Sequence, residues 1–249
     1  MSPIEAVVVV LAGVCAGTIN TVVGSGTLIT FPVLLAVGYP PVVANASNSI
    51  GLVPGGITGA IGYRDELTGQ RPRVLRLGSC SLAGGAAGAA LLLVLPPGVF
   101  KAVVPILIVV ALILVIIQPW LSRRLSELDR HEHGGAGALA AAFGTGVYGG
   151  YFGAAQGVLL IGLLGLMMDE RLQRLNALKN VLTAGVNLIA GVIFVLVADV
   201  AWEAVALIAI GSTAGGLIGA RVGRRLPPAV LRGVIVVVGL TAVVKLLID

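Results

Sequence analysis

The chain is dominated by long apolar runs that are continuous rather than alternating. A helix needs about 20 apolar residues to cross a bilayer, and only helices or closed barrels satisfy their backbone polar groups in lipid. Membrane-spanning strands alternate apolar and polar residues, which these runs do not. The 249 residues are 57% hydrophobic and 11% charged, too few charges to coat a soluble domain of this length. The sequence therefore predicts an all-α polytopic membrane protein, with residues 1–249 forming a single transmembrane domain.

Ten apolar segments are predicted, and two of them are too short for an ordinary span. The segments are 4–22, 24–38, 40–62, 73–94, 99–120, 135–152, 155–168, 175–198, 202–220 and 229–248. Segments 24–38 and 155–168 each follow a glycine-rich junction, so we expect half-helices or broken spans there, beside eight full spans. Whether 4–38 and 135–168 span the membrane fully or are re-entrant is left open.

The two halves of the sequence match each other at a constant spacing of 131 residues. The matched pairs are Gly13 and Gly144, Gly26 and Gly157, Asn45 and Asn176, Ala46 and Ala177, Gly84-Gly85 and Gly215-Gly216, Gly88 and Gly219, and Leu95–Pro97 and Leu226–Pro228. This spacing indicates an internal duplication. It predicts repeat 1 at 1–120, a cytoplasmic linker at 121–134 and repeat 2 at 135–249.

The distribution of basic residues predicts the orientation. Arginines concentrate in four loops, at Arg64, Arg71, Arg73 and Arg76, at Arg123, Arg124 and Arg130, at Arg171 and Arg174, and at Arg221, Arg224, Arg225 and Arg232. With these loops in the cytoplasm, Lys101 and Lys245 are the only basic side chains left near the outer face. Because basic loops stay in the cytoplasm, both termini are predicted outside. Five segments per half then make the two repeats inverted. Inverted repeats with broken helices are typical of secondary transporters, whose sites lie near the midplane at the repeat interface.

A polar stripe opens the apolar segment 175–198. Its members share one face at helical spacing: Asn176, Lys179, Asn180, Thr183 and Asn187. Charged and amide side chains are costly in hydrocarbon, so they usually face a bundle interior or a wet cavity. We interpret the stripe as an intramembrane cationic site for an anion. The alternative is that Lys179 extends to the cytoplasmic headgroups.

Two glycine-rich junctions are candidate parts of the same site. Gly24 and Gly26 flank Ser25 in the first half, and Gln156 takes the corresponding place in the second. A helix that begins at such a junction directs free N–H groups and its positive dipole end at an anion. Close helix packing is the alternative explanation for the glycines.

The repeat mate of the polar stripe is uncharged. Asn45, Asn48 and Ser49 stand where the second half has Asn176, Lys179 and Asn180. A pseudo-symmetric site would therefore contain one cation, Lys179. These residues could equally form interhelical hydrogen bonds that hold the bundle together.

No enzyme signature is present in the sequence. There is no nucleotide-binding or nucleophile motif, the apolar segments contain no carboxylate beyond Glu5 and Glu203, each the second residue of its segment, and we expect no cofactor and no metal site. His131 and His133 fall in the linker and fit a solvated connector better than a metal site. The net charge of +5 resides in loop arginines and indicates topology rather than nucleic-acid binding.

The sequence resembles the TauE/SafE family of sulfite exporters over nearly its whole length. The first-half run GSGTLITFPVLLAVGYPPVVANASNSIGLVPG, the loop GYRDEL and the second-half run RLNALKNVLTAGVNLIAGVIFV carry the resemblance. It implies a bacterial inner-membrane carrier for small sulfur-containing anions such as sulfite or organosulfonates. The runs include Asn45, Asn48, Asn176 and Lys179, although the resemblance assigns them no role.

The sequence thus predicts a secondary transporter that exports a small anion by alternating access. Two alternatives stay open, an anion channel and a membrane scaffold subunit without transport activity. The expected partners are the anion and the lipid bilayer, without nucleic acid, and a homodimer is left open. The identity of the anion, the direction of transport and the coupling ion are not specified by the sequence.

Overall fold

The structure is a computed structural model that describes residues 1–125 and 135–222, together with residues 233, 236, 237 and 240. Within that part it is all-helical. The helices are α1 (Pro3–Val22), α2 (Thr27–Val37), α3 (Pro41–Gly62), α4 (Arg71–Val94), α5 (Pro97–Leu125), α6 (Gly135–Tyr151), α7 (Gln156–Met167), α8 (Leu172–Val197) and α9 (Trp202–Val222), with a short 3-10 helix at Arg64–Leu67. The first nine predicted segments all coincide with helices. Helix α5 runs into the predicted linker.

Several sequence predictions lie outside the described residues. They are the linker from 126 to 134 with Arg130, His131 and His133, most of segment 229–248 with Lys245, Leu226–Pro228, and Arg224, Arg225 and Arg232.

Five helices in the described part are long and apolar enough to cross a membrane. They are Pro3–Val22, Arg71–Val94, Leu172–Val197, and the stretches Pro97–Ile117 of α5 and Trp202–Arg221 of α9. Helices α2 and α7 are apolar but short, at 11 and 12 residues. Helix α3 has 22 residues and is not among these five. The molecule is therefore a multi-pass membrane protein with two short apolar helices.

The helices begin and end where the sequence places caps and breakers. Ser2 and Glu5 form a reciprocal capping box at the start of α1. Proline occupies the first turn of α3 and α4, where no intrahelical N–H is needed. Gly38 ends α2 with a φ of 103°, in the left-handed region that glycine adopts without strain.

Close glycine contacts reveal the helix directions. Gly211 of α9 packs on Val14 of α1, and further along Gly219 packs on Thr18 and Thr21, so α1 and α9 are parallel. Helix α3 runs the same way, because Gly51 meets Ile208 and Gly62 meets Ala220.

The other group of helices runs in the opposite direction. In α8, Ala184 meets Gly56 of α3 whereas Gly191 meets Ile50, so these two helices are antiparallel. Gly185 of α8 packs on Leu82 of α4. Helices α4 and α6 are parallel to α8, as the ascending contacts between α8 and α4 and between α4 and α6 indicate. Helices α1 and α6 therefore point in opposite directions.

The same contact occurs twice, exchanged between the halves. A Cβ added to Gly17 of α1 would lie 2.8 Å from the Cα of Ser212 of α9, and the backbone of Ser81 in α4 crowds Gly146 of α6 in the same way. The first helix of each half thus packs on the fourth helix of the other half. This exchange is the arrangement that a two-fold axis between the halves would generate.

The structure corrects the register of the repeat. Helix α1 ends at Val22 and α6 at Tyr151, and α2 and α7 begin at Thr27 and Gln156, so the first two helices correspond at a spacing of 129. The spacing becomes 131 only from α3 onward. The pairings of Gly13 with Gly144, of Ser25 with Gln156 and of Gly26 with Gly157 are therefore wrong, and Gln156 corresponds to Thr27. In the corrected register Gly24 matches Gly153, and both have positive φ, at 90° and 76°.

An aromatic cluster supports the junctions from one side. Phe31 of α2 packs edge-on against Phe152, which follows α6, with ring centroids 5.2 Å apart. Phe100 of α5 contacts both rings at 6.4 and 6.0 Å. All three side chains are buried. Edge-to-face pairs of this kind fix ring positions as well as burying area, so they hold α2 against the second junction.

Candidate functional site

The two glycine junctions meet. The N–H of Gly157 donates a 3.1 Å hydrogen bond to the carbonyl oxygen of Gly24. A Cβ at Gly24 would lie 2.5 Å from the Cα of Gly157, and one at Gly157 would lie 2.6 Å from the Cα of Gly24. No side chain fits between them. Helices α2 and α7 both begin within a few residues of this contact.

Lys179 packs against this contact with its side chain fully inside the protein. It is 0% exposed, and its Cδ lies 3.1 and 2.6 Å from the Cβ positions of Gly24 and Gly157 respectively. The ammonium donates to the carbonyl oxygens of Asn20 at 2.7 Å and Thr21 at 3.2 Å. This geometry is inconsistent with the alternative in which the Lys179 side chain extends to the headgroups.

Lys179 and its neighbouring amides cap the end of α1. The carbonyl oxygen of Thr21 also accepts hydrogen bonds from Asn176 at 3.2 Å and Asn180 at 3.3 Å. Thr21 lies in the last turn of α1, whose carbonyls have no intrahelical donors and which is the negative end of the helix dipole. A buried ammonium is stabilised at such a position. Sequence reasoning found the three donors but missed the backbone acceptor.

Several hydrogen-bond donors in the junction residues have no partner in the part of the chain that the structure describes. The hydroxyl of Ser25 and the Nε2 of Gln156 are buried without one. At the start of α2, no described residue accepts from the N–H groups of residues 25–27. The ammonium of Lys179 has three N–H groups and two carbonyl acceptors in the structure. Unpaired buried donors are costly unless another group binds them.

The corresponding residues of the first half form a neutral network. Asn48 donates to the hydroxyl of Thr27 at 3.2 Å and accepts from the hydroxyl of Thr30. Asn45 donates to the carbonyl oxygen of Tyr151 at 3.0 Å. The Oδ1 atoms of Asn45 and of its mate Asn176 are both buried without a partner.

Two predicted site residues lie apart from this cluster. Asn187 is 8% exposed and two turns further along α8 than Lys179. Gly26 is a packing residue, because a Cβ there would lie 2.7 Å from the carbonyl oxygen of Ala16. The remaining predicted residues surround the junction contact or the ends of α1 and α6.

Comparison with known proteins identifies the family. The profile of the family described as sulfite exporter TauE/SafE matches residues 9–246. The chain belongs to the TauE/SafE family. It is 27% identical over 252 residues to the probable membrane transporter protein YfcA of Escherichia coli K12, covering 100% of this chain and 92% of that protein. It is 23% identical to the probable membrane transporter protein ORF9 of Sinorhizobium sp, covering 96% and 91%. No solved structure matches the chain.

The TauE/SafE chain also has an ion cluster between its halves, at the start of α8. Glu170 accepts hydrogen bonds from Arg73 of α4 at 2.7 Å and from Arg174 at 2.9 Å. Arg171 lies 3.4 Å from Glu66. Burial opposes the charge of Glu170, but the hydrogen bonds from Arg73 and the Arg171 backbone and the charge of Arg174 together lower its pKa. The cluster joins the loop before α4 to the loop before α8.

Proposed function

We propose that this TauE/SafE protein is a secondary carrier that exports a small sulfur-containing anion across the bacterial inner membrane by alternating access. The observation that carries the proposal is the position of Lys179. Its buried side chain lies against the Gly24–Gly157 contact, where two short helices begin. Among the described residues only neutral groups accept hydrogen bonds from this cation, which favours an anionic ligand.

The donors around this contact suit an oxyanion. Sulfite and sulfonates present several oxygen acceptors around one sulfur. The unpaired donors of Ser25 and of the first residues of α2 adjoin Gly24 of the contact, and Gln156 adjoins Gly157, with its amide packed on Gly149 at the end of α6. The N-terminal ends of α2 and α7 add partial positive charge. Asn176 and Asn180 would position the Lys179 side chain, and the anion would accept the third N–H of its ammonium.

Helix directions support an inverted repeat. Helices α1 and α6 point in opposite directions, and each packs on the fourth helix of the other half. With both termini outside, the Glu170 ion cluster lies on the cytoplasmic side and links the halves there. Rocking of one half against the other would expose the Lys179 site to each side in turn. Anion binding would offset the buried charge and so favour the transition between the two states.

Reconstituted protein tests the proposal. Purified protein in liposomes preloaded with sulfite should take up labelled sulfite in exchange, with a rate that saturates as sulfite rises. Taurine, sulfoacetate, thiosulfate and sulfate as competitors would rank the substrates. Unitary currents in a planar bilayer would identify an anion channel instead. Absence of flux for every anion, by protein whose fold is verified, would contradict transport and favour a scaffold subunit.

A further inference from the structure

The end of α6 repeats the end of α1, but without a lysine. In both helices the carbonyl five residues before the glycine with positive φ accepts two N–H groups: Ile19 accepts from Val23 and Gly24, and Tyr148 accepts from Phe152 and Gly153. The next two carbonyls in α1, those of Asn20 and Thr21, bind the ammonium of Lys179. Their counterparts in α6 are Gly149 and Gly150, at the spacing of 129.

The counterpart of Lys179 does not reach the end of α6. Asn48 stands at that position, and its short side chain bonds to Thr27 and Thr30 instead. No described residue donates a hydrogen bond to the carbonyl oxygens of Gly149 and Gly150, although both residues are buried. These carbonyls lie at the negative end of the α6 dipole.

Asn45 adds a side-chain oxygen to the same place. Its amide nitrogen is anchored 3.0 Å from the carbonyl oxygen of Tyr151, next to Gly150. The Oδ1 of the same amide is buried without a partner, and Asn45 is 0% exposed. Two helix-end carbonyls and an unpartnered amide oxygen thus lie at the same helix end. The side-chain amide of Gln156 packs beside them, because a Cβ at Gly149 would lie 2.5 Å from its Oε1 and 2.4 Å from its Nε2.

We propose that the end of α6 binds a monovalent alkali cation, sodium, held by the carbonyl oxygens of Gly149 and Gly150 and by Oδ1 of Asn45. The free ion would take the place that the tethered ammonium of Lys179 takes at the end of α1. Oxygen ligands suit hard cations, and helix C-terminal ends and unwound carbonyls bind Na⁺ in other transporters. The ligands are neutral, which favours one charge over two. A role of this ion in coupling rests on the proposed function, whereas its binding does not.

Thermal unfolding in detergent without any substrate anion tests the binding. Unfolding temperatures are compared in NaCl, KCl and N-methyl-D-glucamine chloride at equal ionic strength. For the wild type, Na⁺ should raise the unfolding temperature saturably, because a ligand that binds only the folded state stabilises it. No Na⁺-specific rise, or a rise with K⁺ alone, would overturn the sodium site.

Variants locate the site. Asn45→Ala should lose most of the Na⁺-dependent rise, and Asn45→Asp should shift its half-saturation to lower Na⁺. Asn48→Lys should abolish the rise by placing an ammonium where Lys179 stands in the other half. Asn176→Ala, the matched control at the end of α1, should keep the rise. If Asn48→Lys does not fold, the two Asn45 variants decide. An unchanged rise in both would place the ion elsewhere and overturn the proposal, whatever the outcome of transport assays.

Discussion

The ammonium of Lys179 lies 2.7 Å from the carbonyl oxygen of Asn20, in the last turn of α1. This hydrogen bond joins α8 of the second half to α1 of the first half. Lys179 therefore has two neighbours, the negative end of α1 and the junction contact where α2 and α7 begin. An anion that bound at the junction would accept the third N–H of this ammonium, which the two α1 carbonyls leave unpaired. Substrate binding would thereby connect the end of α1 to the start of α2 and α7.

The junction contact should tolerate no side chain. A Cβ at Gly157 would meet the Cα of Gly24 at 2.6 Å and the Cδ of Lys179 at 2.6 Å. Real Cβ atoms do not approach backbone so closely, so we expect Gly157→Ala to lower the unfolding temperature and to reduce flux strongly. Gly144→Ala is the matched control, because no atom lies within 4 Å of a Cβ there. Equal stability and flux in the two variants would contradict the close contact.

Asn48 should stabilise the packing of α3 on α2. Asn48→Ala removes the partner of two buried threonines, Thr27 and Thr30. A lost partner of a buried polar group costs about 1–3 kcal/mol, so the midpoint of denaturant unfolding should fall. Asn187→Ala in α8 is a comparison at a residue outside this network. A fall for Asn187→Ala as large as that for Asn48→Ala would argue against the network.

The Glu170 cluster should make stability depend on pH in the acid range. The folded protein lowers the pKa of Glu170, so its contribution is present above the ordinary pKa of glutamate, about 4.3. That contribution is lost as pH falls through the lower folded value. We expect Glu170→Gln to be less stable than wild type at pH 7. The difference should shrink as pH falls below about 4, as measured by thermal unfolding in buffered detergent. A constant difference would contradict the shift.

Cysteine labelling tests the orientation. In a background with Cys15 and Cys80 replaced by serine, Asp65→Cys should be protected from an impermeant reagent in intact cells, because its loop is proposed to be cytoplasmic. Asp199→Cys should be labelled. Both positions are exposed, so access differs only through the side of the membrane. The reverse pattern would overturn the proposed topology.

The sequence predicted the helices well because their apolar runs and breakers are local signals. Proline at the start of α3 and glycine at the end of α2 act within one turn. The register of the repeat was harder to predict from the sequence. Helix α2 with its following loop is two residues shorter than α7 with its loop, so an ungapped comparison aligned the wrong glycines. With 36 glycines in the chain, chance matches such as Gly13 with Gly144 are easy to obtain.

The sequence could predict the side-chain donors of the candidate site but not their backbone acceptor. Asn176, Lys179 and Asn180 stand out as polar residues at helical spacing in an apolar run. Their acceptor, the carbonyl oxygen of Thr21, belongs to the backbone, which is chemically the same at every residue. This carbonyl becomes the acceptor only because α8 packs against the end of α1 in the folded protein. Asn187 shows the opposite error, because it continues the stripe without reaching the cluster.

The most direct test of the account is sulfite exchange by Lys179→Met in proteoliposomes, at matched protein amount and with folding verified. The account predicts that exchange falls to the level of empty liposomes, because the buried charge that binds the anion is gone. Lys179→Arg, which keeps the charge but changes its geometry, should retain part of the rate. Undiminished saturable exchange by folded Lys179→Met would contradict the anion site.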